Sequence, residues 1–189
     1  VAERTRVRVE AVLRKTGYTP DLTASALASQ RTRLIGAIVP VLTNSLIAEI
    51  IQGLTDALAR NGFQMLLGVS GFSAREEETL VQAFLSRRVD GLFLTGVSRT
   101  PATVQMLRQA GIPVVEAGNL TRDPVDMVVG YSNVEAARAI TRHLLRRGYG
   151  AVGYIGAFPE DNDRARDRRM GYEKALAAAR RKPDPALCV

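Results

Sequence analysis

The sequence predicts an α/β protein built on a mostly parallel, doubly wound sheet, on the strength of three observations. From residue 34 onward, short continuous apolar runs such as Leu34–Val39 alternate with longer stretches of helical periodicity, and a continuous run is what a strand buried on both faces requires. The connections are short and carry helix caps and glycine stops, the texture of strand–helix units wound into one sheet. The chain has 189 residues, 46% of them hydrophobic and none of them Trp, so a core of Leu, Ile, Val and Ala is expected.

Residues 3–16 predict a helix, with Val9, Val12 and Leu13 at i, i+3 and i+4 among Arg4, Arg6, Arg8, Arg14 and Lys15. Gly17 stops it and Pro20 prevents a simple continuation. Asp21 is positioned to cap a very short helix over residues 22–29, which at about eight residues orders only against a partner. After the first strand, Asn44 caps a helix carrying Ile47, Ile50, Ile51, Leu54 and Leu58 and ending at Gly62. Residues 63–69 form the second strand. Ser73 and Glu76 form a capping box, with Leu80, Phe84 and Leu85 turned inward behind it. Residues 89–95 form the third strand, and Thr100-Pro101 opens a helix that Gly111 ends. Strands four and five are expected at 113–116 and 127–130, with the loop 119–124 interrupting the alternation. Asn133 caps a helix that runs to Arg147 and stops at Gly148; its apolar stripe is Ile140 and Leu144, with His143 off it and facing solvent. A sixth strand at 151–155 and a helix within 164–181 complete the pattern.

The formal net charge is +7, unevenly spread. Residues 1–33 hold seven basic and three acidic groups, residues 34–131 seven and nine, and residues 132–189 twelve and seven. A basic end on a near-neutral body suits phosphate contact at that end, although a soluble Arg-rich protein has the same totals. Cys188 is the only cysteine, which excludes an intrachain disulfide and leads to the expectation of a cytoplasmic protein. No apolar run approaches the ~18 residues of a membrane helix, and the first residues carry no signal-peptide core.

Open parallel sheets bind ligands beyond the carboxyl ends of their strands. Asn44, Ser70, Ser73, Thr95, Glu116, Ser132 and Asn133 fall there. Hydroxyls and amides with one carboxylate suit hydrogen bonding to a polyhydroxylated ligand; each residue alone also reads as a cap or turn, and only their convergence favours binding. Arg164, Arg166 and Arg169 read as a solvated face neutralised by Asp161, Asp163 and Asp167. Cations at a helix N-terminus oppose its dipole, so capture of an anionic ligand group is the alternative. No catalytic constellation is visible: there is one histidine, no metal-ligand spacing, no nucleophile elbow and no phosphate-binding glycine loop. No cofactor and no metal are expected. Leu27 stands on a helix of Ala24, Ser25, Ala26, Ala28 and Ser29. It reads either as a core leucine or as a wedge between base steps of a minor groove, which small neighbours let the backbone approach.

Gly17-Tyr18-Thr19-Pro20, Ala26-Leu27, Arg31-Thr32-Arg33-Leu34-Ile35-Gly36, Val39-Pro40, Arg88-Val89-Asp90-Gly91-Leu92, Gly111-Ile112-Pro113-Val114-Val115 and Arg168-x-x-Gly171-Tyr172 together resemble the LacI/GalR transcriptional regulators over essentially the whole chain. Glu49, Thr100-Pro101-x-Thr103, Pro113-Val-Val-Glu116 and the run from Val129 to Arg138 resemble the gluconate-operon repressors within that family. The resemblance implies a periplasmic-binding-protein-like core. It implies that residues 1–20 are the last helix of a helix-turn-helix headpiece, 21–32 a hinge helix and linker, 33–131 one effector-binding subdomain and 132–189 part of a second. The helices before Val1 and most of the second subdomain are then expected outside this chain, as in a fragment. It further implies DNA contacts from Leu27, Ala28, Tyr18, Arg31 and Arg33, with Leu27 as the wedge. Effector contacts are implied from Asn44, Leu46, Ile47, Glu116, Ser132, Asn162, Arg164 and Arg168. Asp21 replaces the usual Asn after the hinge proline, Leu46 and Ile47 replace the aromatics of many relatives, and Ser132 replaces a common Asp. The expected partners are operator DNA, a sugar or sugar-acid effector and a second copy in a homodimer, with no membrane. An extracytoplasmic sugar receptor with the same body and a small α/β enzyme are the competing readings.

Overall fold

The structure, a computed structural model, describes residues 2–17, 31–156 and 162–188. It divides into two compact units, Val1–Thr32 and Arg33–Val189. In the first, α1 (Glu3–Thr16) ends on Gly17 in the left-handed conformation and buries none of its residues. Val9 and Val12 are each about half exposed and Leu13 is partly buried, so the apolar stripe read from the sequence is largely uncovered. Arg6 pairs with Glu3 and Glu10 along the helix surface. The expected hinge helix, with Tyr18, Leu27 and Ala28, lies outside the described residues.

The second unit is a five-stranded parallel sheet in the order β2-β1-β3-β4-β5. The strands are β1 (Leu34–Val39), β2 (Gln64–Val69), β3 (Gly91–Thr95), β4 (Val114–Ala117) and β5 (Met127–Val129). The helices are α2 (Ser45–Arg60), α3 (Ala74–Ser86), α4 (Pro101–Ala110), α5 (Asn133–Arg146) and α6 (Asp163–Ala178), followed by a 3-10 turn at Pro185–Leu187. The predicted caps Asn44, Ser73 and Thr100 each accept backbone N–H bonds at the helix starts, supplying partners to donors that a helix cannot satisfy itself. Asp90 accepts from Arg33 N at 3.0 Å and so pins the entry of β1 beside β3.

Ile38, Leu92, Leu94 and Val114 of the sheet bury against Val81 and Phe84 of α3 and Leu107 of α4. Both helices therefore cover one face. The first crossover runs from β1 outward to β2 and the next runs back past β1 to β3, so right-handed connections place α2 on the opposite face. That face is less covered: α2 has no buried residue, and Leu67 and Val69 on edge strand β2 stay 39% and 47% exposed.

Four expectations change. β3 and β4 begin after the apolar residues Val89 and Pro113, because apolar character starts before the ladder does. Ser132, and not Asn133, caps α5 by accepting from Glu135 N; Asn133 is the first helical residue, fully buried and otherwise engaged. The inward stripe of α5 is Asn133, Ala137 and Thr141, while Ile140 is 66% exposed. The sixth strand is reduced to one parallel bridge, Tyr154 with Cys188, because a strand exists only where a neighbour pairs with it, and Ile155 is 90% exposed.

The small stripe of α5 has a cause. A Cβ on Gly171 of α6 would lie 2.2 Å from Val134 O and 3.0 Å from Ala137 Cβ, so α5 and α6 touch backbone to backbone there. Gly171→Ala therefore lowers stability by about 1–3 kcal/mol through overpacking. Gly53→Ala, at a helical position with nothing within 4 Å, raises it by roughly 0.5–1 kcal/mol. Urea denaturation of both variants checks this contrast; equal effects would remove the close-packing explanation.

Candidate functional site

A cleft opens at the carboxyl ends of β1, β2 and β3, where a parallel sheet exposes loop backbone and helix N-termini together. Pro40, Ser70, Phe72, Ser73, Ala74, Glu77, Thr95, Ser98, Asp163 and Arg164 line it. It is a shallow, open cleft with a cavity volume of about 20 Å³. The turn after β2 is fixed by Ser70 N donating to Val39 O and Gly71 N to Pro40 O, which leaves Phe72 with a left-handed φ of 62°. Ser73 then caps α3, so the first turns of that helix carry Ala74 and Glu77 to the cleft wall.

Arg164 arrives from α6. Its approach depends on Gly96, which follows β3 with a φ of 90°: a Cβ there would lie 2.8 Å from Arg164 Nη1 and 2.9 Å from Asp163 Oδ1. Gly118, at the matching place after β4, faces Arg164 Cδ with φ at 87°. Asp163, the first residue of α6, accepts from Val97 N at 3.0 Å and from Asn119 Nδ2 at 3.1 Å. These bonds clamp the start of α6 to the ends of β3 and β4.

Beneath the cleft, Arg99 is 1% exposed and holds two carboxylates. Its Nε lies 3.2 Å from Glu77 Oε1 and its Nη1 2.5 Å from Glu116 Oε1, while Nη2 donates to Gly96 O. Glu116 Oε2 accepts from Val125 N at 2.7 Å. Burial raises the Glu77 carboxyl above its ordinary value; Arg99 opposes this, and Glu116 and Asp163 add to it. Burial likewise lowers Arg164, which Asp163 at 3.7 Å partly offsets. Arg164 Nη1 is buried without a hydrogen-bond partner among the described residues.

Of the sequence-based candidates, Arg164, Ser70, Ser73 and Thr95 meet in this cleft. Arg164 is 15% exposed and Asp163 4%, so neither belongs to the solvated face expected of them. Arg169 does sit outside, paired with Glu173, and Arg166 Nη2 reaches Ser98 Oγ. Arg168 is not part of the lining; its Nη1 donates to Asn133 Oδ1 at 2.8 Å. Asn133 in turn donates to Gly118 O and Asn119 Oδ1. Glu116 is removed from ligand reach because a carboxylate 2% exposed must spend both oxygens on protein donors. Asn44 is used as a cap, and Leu46 and Ile47 occupy the first turn behind it. Ser132 and Asn162 likewise cap α5 and α6. Arg31 and Arg33 are exposed, and Arg33 has a left-handed φ of 56°. Glu77, Arg99, Asp163, Asn119, Gly96 and Gly118 were missed as site residues. The repeated strand-then-glycine pattern Thr95-Gly96 and Ala117-Gly118 was the available signal.

Serine and threonine hydroxyls, two carboxylates and one guanidinium can bind a polar, hydroxyl-rich molecule with one acidic group. No described residue pairs a nucleophile with a base in the cleft. No described helix is long and apolar enough to cross a membrane.

Residues 32–188 match the family model for periplasmic binding proteins and the sugar-binding domain of the LacI family. The chain is 34% identical over 174 residues to the HTH-type transcriptional regulator GntR of Escherichia coli K12, covering 92% of this chain and 52% of that protein. It thus spans about half the length of the curated relatives it matches. Among solved structures, a LacI-family transcriptional regulator from Silicibacter pomeroyi aligns with a TM-score of 0.88 at 34% identity, over 97% of this chain and 55% of that one. The transcriptional regulator CelR in complex with cellobiose aligns with a TM-score of 0.65 at 29% identity, over all of this chain and 57% of that one.

Arg99→Met leaves Glu77 and Glu116 without their shared cation and is expected to cost about 3–5 kcal/mol, measured by urea denaturation. A loss below about 1 kcal/mol would contradict the pairing. A raised Glu77 value in the fold means that its contribution is most favourable below 4.5 and is lost as pH rises through the raised value. The melting temperature of the wild type minus that of Glu77→Gln should therefore fall as pH rises from about 4.5 to neutrality; a difference that grows with pH reverses the sign.

Proposed function

The chain belongs to the family of periplasmic binding proteins and LacI-type sugar-binding domains, and on that premise we propose that it senses a sugar acid, gluconate foremost, for a DNA-binding transcriptional repressor. The observation that carries this reading is Arg164, whose buried Nη1 has no hydrogen-bond partner among the described residues and which shares its cleft with four hydroxyls and two carboxylates. A buried guanidinium nitrogen that has a carboxylate at 3.7 Å but no hydrogen bond among the described residues is under-satisfied, and a ligand carboxylate would satisfy it. The hydroxyls of Ser70, Ser73, Thr95 and Ser98 in the same lining would bond the polyol part of that ligand with the acceptor and donor capacity left over from their own protein bonds.

This reading moves the expected carboxylate contact from Arg168 to Arg164, because Arg168 is already bonded to Asn133. Operator contact is assigned to the amino-terminal segment, with Leu27 as a minor-groove wedge, Tyr18 and Ala28 beside it, and Arg31 and Arg33 on phosphates. Effector and operator favour different states of that segment, which makes their binding energetically linked. The protein acts in the cytoplasm as a homodimer, with the half-covered side of α2 and the exposed Leu67 and Val69 of β2 facing a second copy. The chemistry is binding and not turnover.

Titration calorimetry with gluconate and with glucose tests the reading: gluconate binds, glucose binds at least about tenfold more weakly, and Arg164→Ala removes the difference, a loss of charge-assisted bonding of the usual size. Equal binding of the two sugars, or gluconate affinity unchanged in Arg164→Ala, rejects it. In the full-length gene product, Leu27→Ala should weaken operator affinity while gluconate affinity holds. Unchanged operator affinity in a gel-shift titration would remove the wedge.

A further inference from the structure

Arg164 is the one cationic side chain among the cleft-lining residues, and it faces two carboxylates, Glu77 and Asp163. The two acids are not equivalent. Asp163 is met locally: its Oδ2 accepts two N–H bonds, its Oδ1 lies 3.7 Å from Arg164, and it opens α6, whose N-terminal dipole favours an anion. Glu77 must share the single guanidinium of Arg99 with Glu116. Its Oε1 is 3.2 Å from Arg99 Nε, yet neither atom is aligned for a hydrogen bond. One cation between two carboxylates leaves negative charge on the cleft side, at Glu77.

We propose that Glu77 is a specificity-determining residue that sets the charge of the molecule the cleft accepts: it leaves Arg164 able to hold one carboxylate and turns away a doubly charged oxyanion such as a phosphate ester or sulfate. The inference rests on reading the cleft as an effector site and adds the charge class of that effector. Because Glu77 is itself buried, a second negative charge on a ligand held at Arg164 is less screened from it than from a surface carboxylate. Specificity here comes from repulsion built into the wall as well as from the attraction of Arg164.

Equilibrium dialysis of the whole chain against radiolabelled sulfate, at constant ionic strength and about pH 7, reads this directly. Wild type takes up no sulfate at millimolar concentration, Glu77→Gln gains at least about tenfold in affinity, and Glu77→Gln combined with Arg164→Ala loses that gain. The wild type at about pH 4, below the ordinary carboxyl value of 4.5 from which burial raises Glu77, supplies a second route if Glu77→Gln fails to fold. Sulfate keeps both charges there, while protonation of Glu77, which faces Arg99, Glu116, Asp163 and Arg164, opens the cleft to it; Arg164→Ala at the same pH stays closed. The proposal is overturned if wild type at about pH 7 binds sulfate as well as Glu77→Gln does. It is equally overturned if the gain survives loss of Arg164, or if neither Glu77→Gln nor the acidified wild type takes up sulfate. The same dialysis with gluconate separates the two readings. The sulfate pattern without gluconate binding sinks the sugar-acid assignment alone, and gluconate binding without the sulfate pattern sinks the role of Glu77 alone.

Discussion

The fold around the cleft depends on one buried guanidinium. Arg99 ties Glu77 of α3 to Glu116 of β4 and closes on the carbonyl of Gly96, so a helix, a central strand and a strand-end loop share one charge. Removing water from such a group is favourable only when partners replace the lost hydration. The sheet provides them at fixed positions, because Glu116 is itself held by Val125 N. The consequence is functional. Glu116 is held on both oxygens, while Glu77 in the floor is left under-neutralised and Arg164 Nη1 in the wall has no hydrogen-bond acceptor among the described residues.

The wall is a matter of close approach. α6 can enter because the backbone at Gly96 and Gly118 carries no Cβ to meet Arg164, and its seat on α5 exists because Gly171 lets Val134 O come near. The same helix therefore presents Asp163 and Arg164 to the cleft and packs on α5 two turns later. A hydrogen-bond chain from Arg168 through Asn133 to Asn119 ties it to α5 and to the loop after β4. A ligand that draws on Arg164 thus acts on an element clamped at its start to β3 and β4 and packed on α5.

Much of the fold was legible because it is written in local chemistry. Asn44, Ser73 and Thr100 announce helix starts by their side-chain oxygens, and continuous runs such as Leu34–Val39 announce buried parallel strands. The exceptions have physical causes. Ile140 looked inward because it is apolar, but a helix seated against a glycine buries its smallest side chains. The run at 151–155 looked like a strand, but pairing depends on a neighbour and only Tyr154 finds one. At the site, residue type identified hydroxyls at strand ends, yet the decisive pairs lie far apart in sequence. Glu116 with Arg99, and Asn119 with Asp163, are contacts of tertiary structure, and charge counting along the chain placed Arg164 on a solvated face when packing puts it inside.

The central claim is that Arg99 stays with its two floor carboxylates and that Arg164 is the cation offered to the ligand. A crystal structure of the chain grown with gluconate measures this most directly. The account predicts the ligand carboxylate within hydrogen-bond distance of Arg164 Nη1, with Arg99 still between Glu77 and Glu116. A carboxylate seated on Arg168, or an Arg99 drawn away from its two acids to reach the ligand, would contradict it.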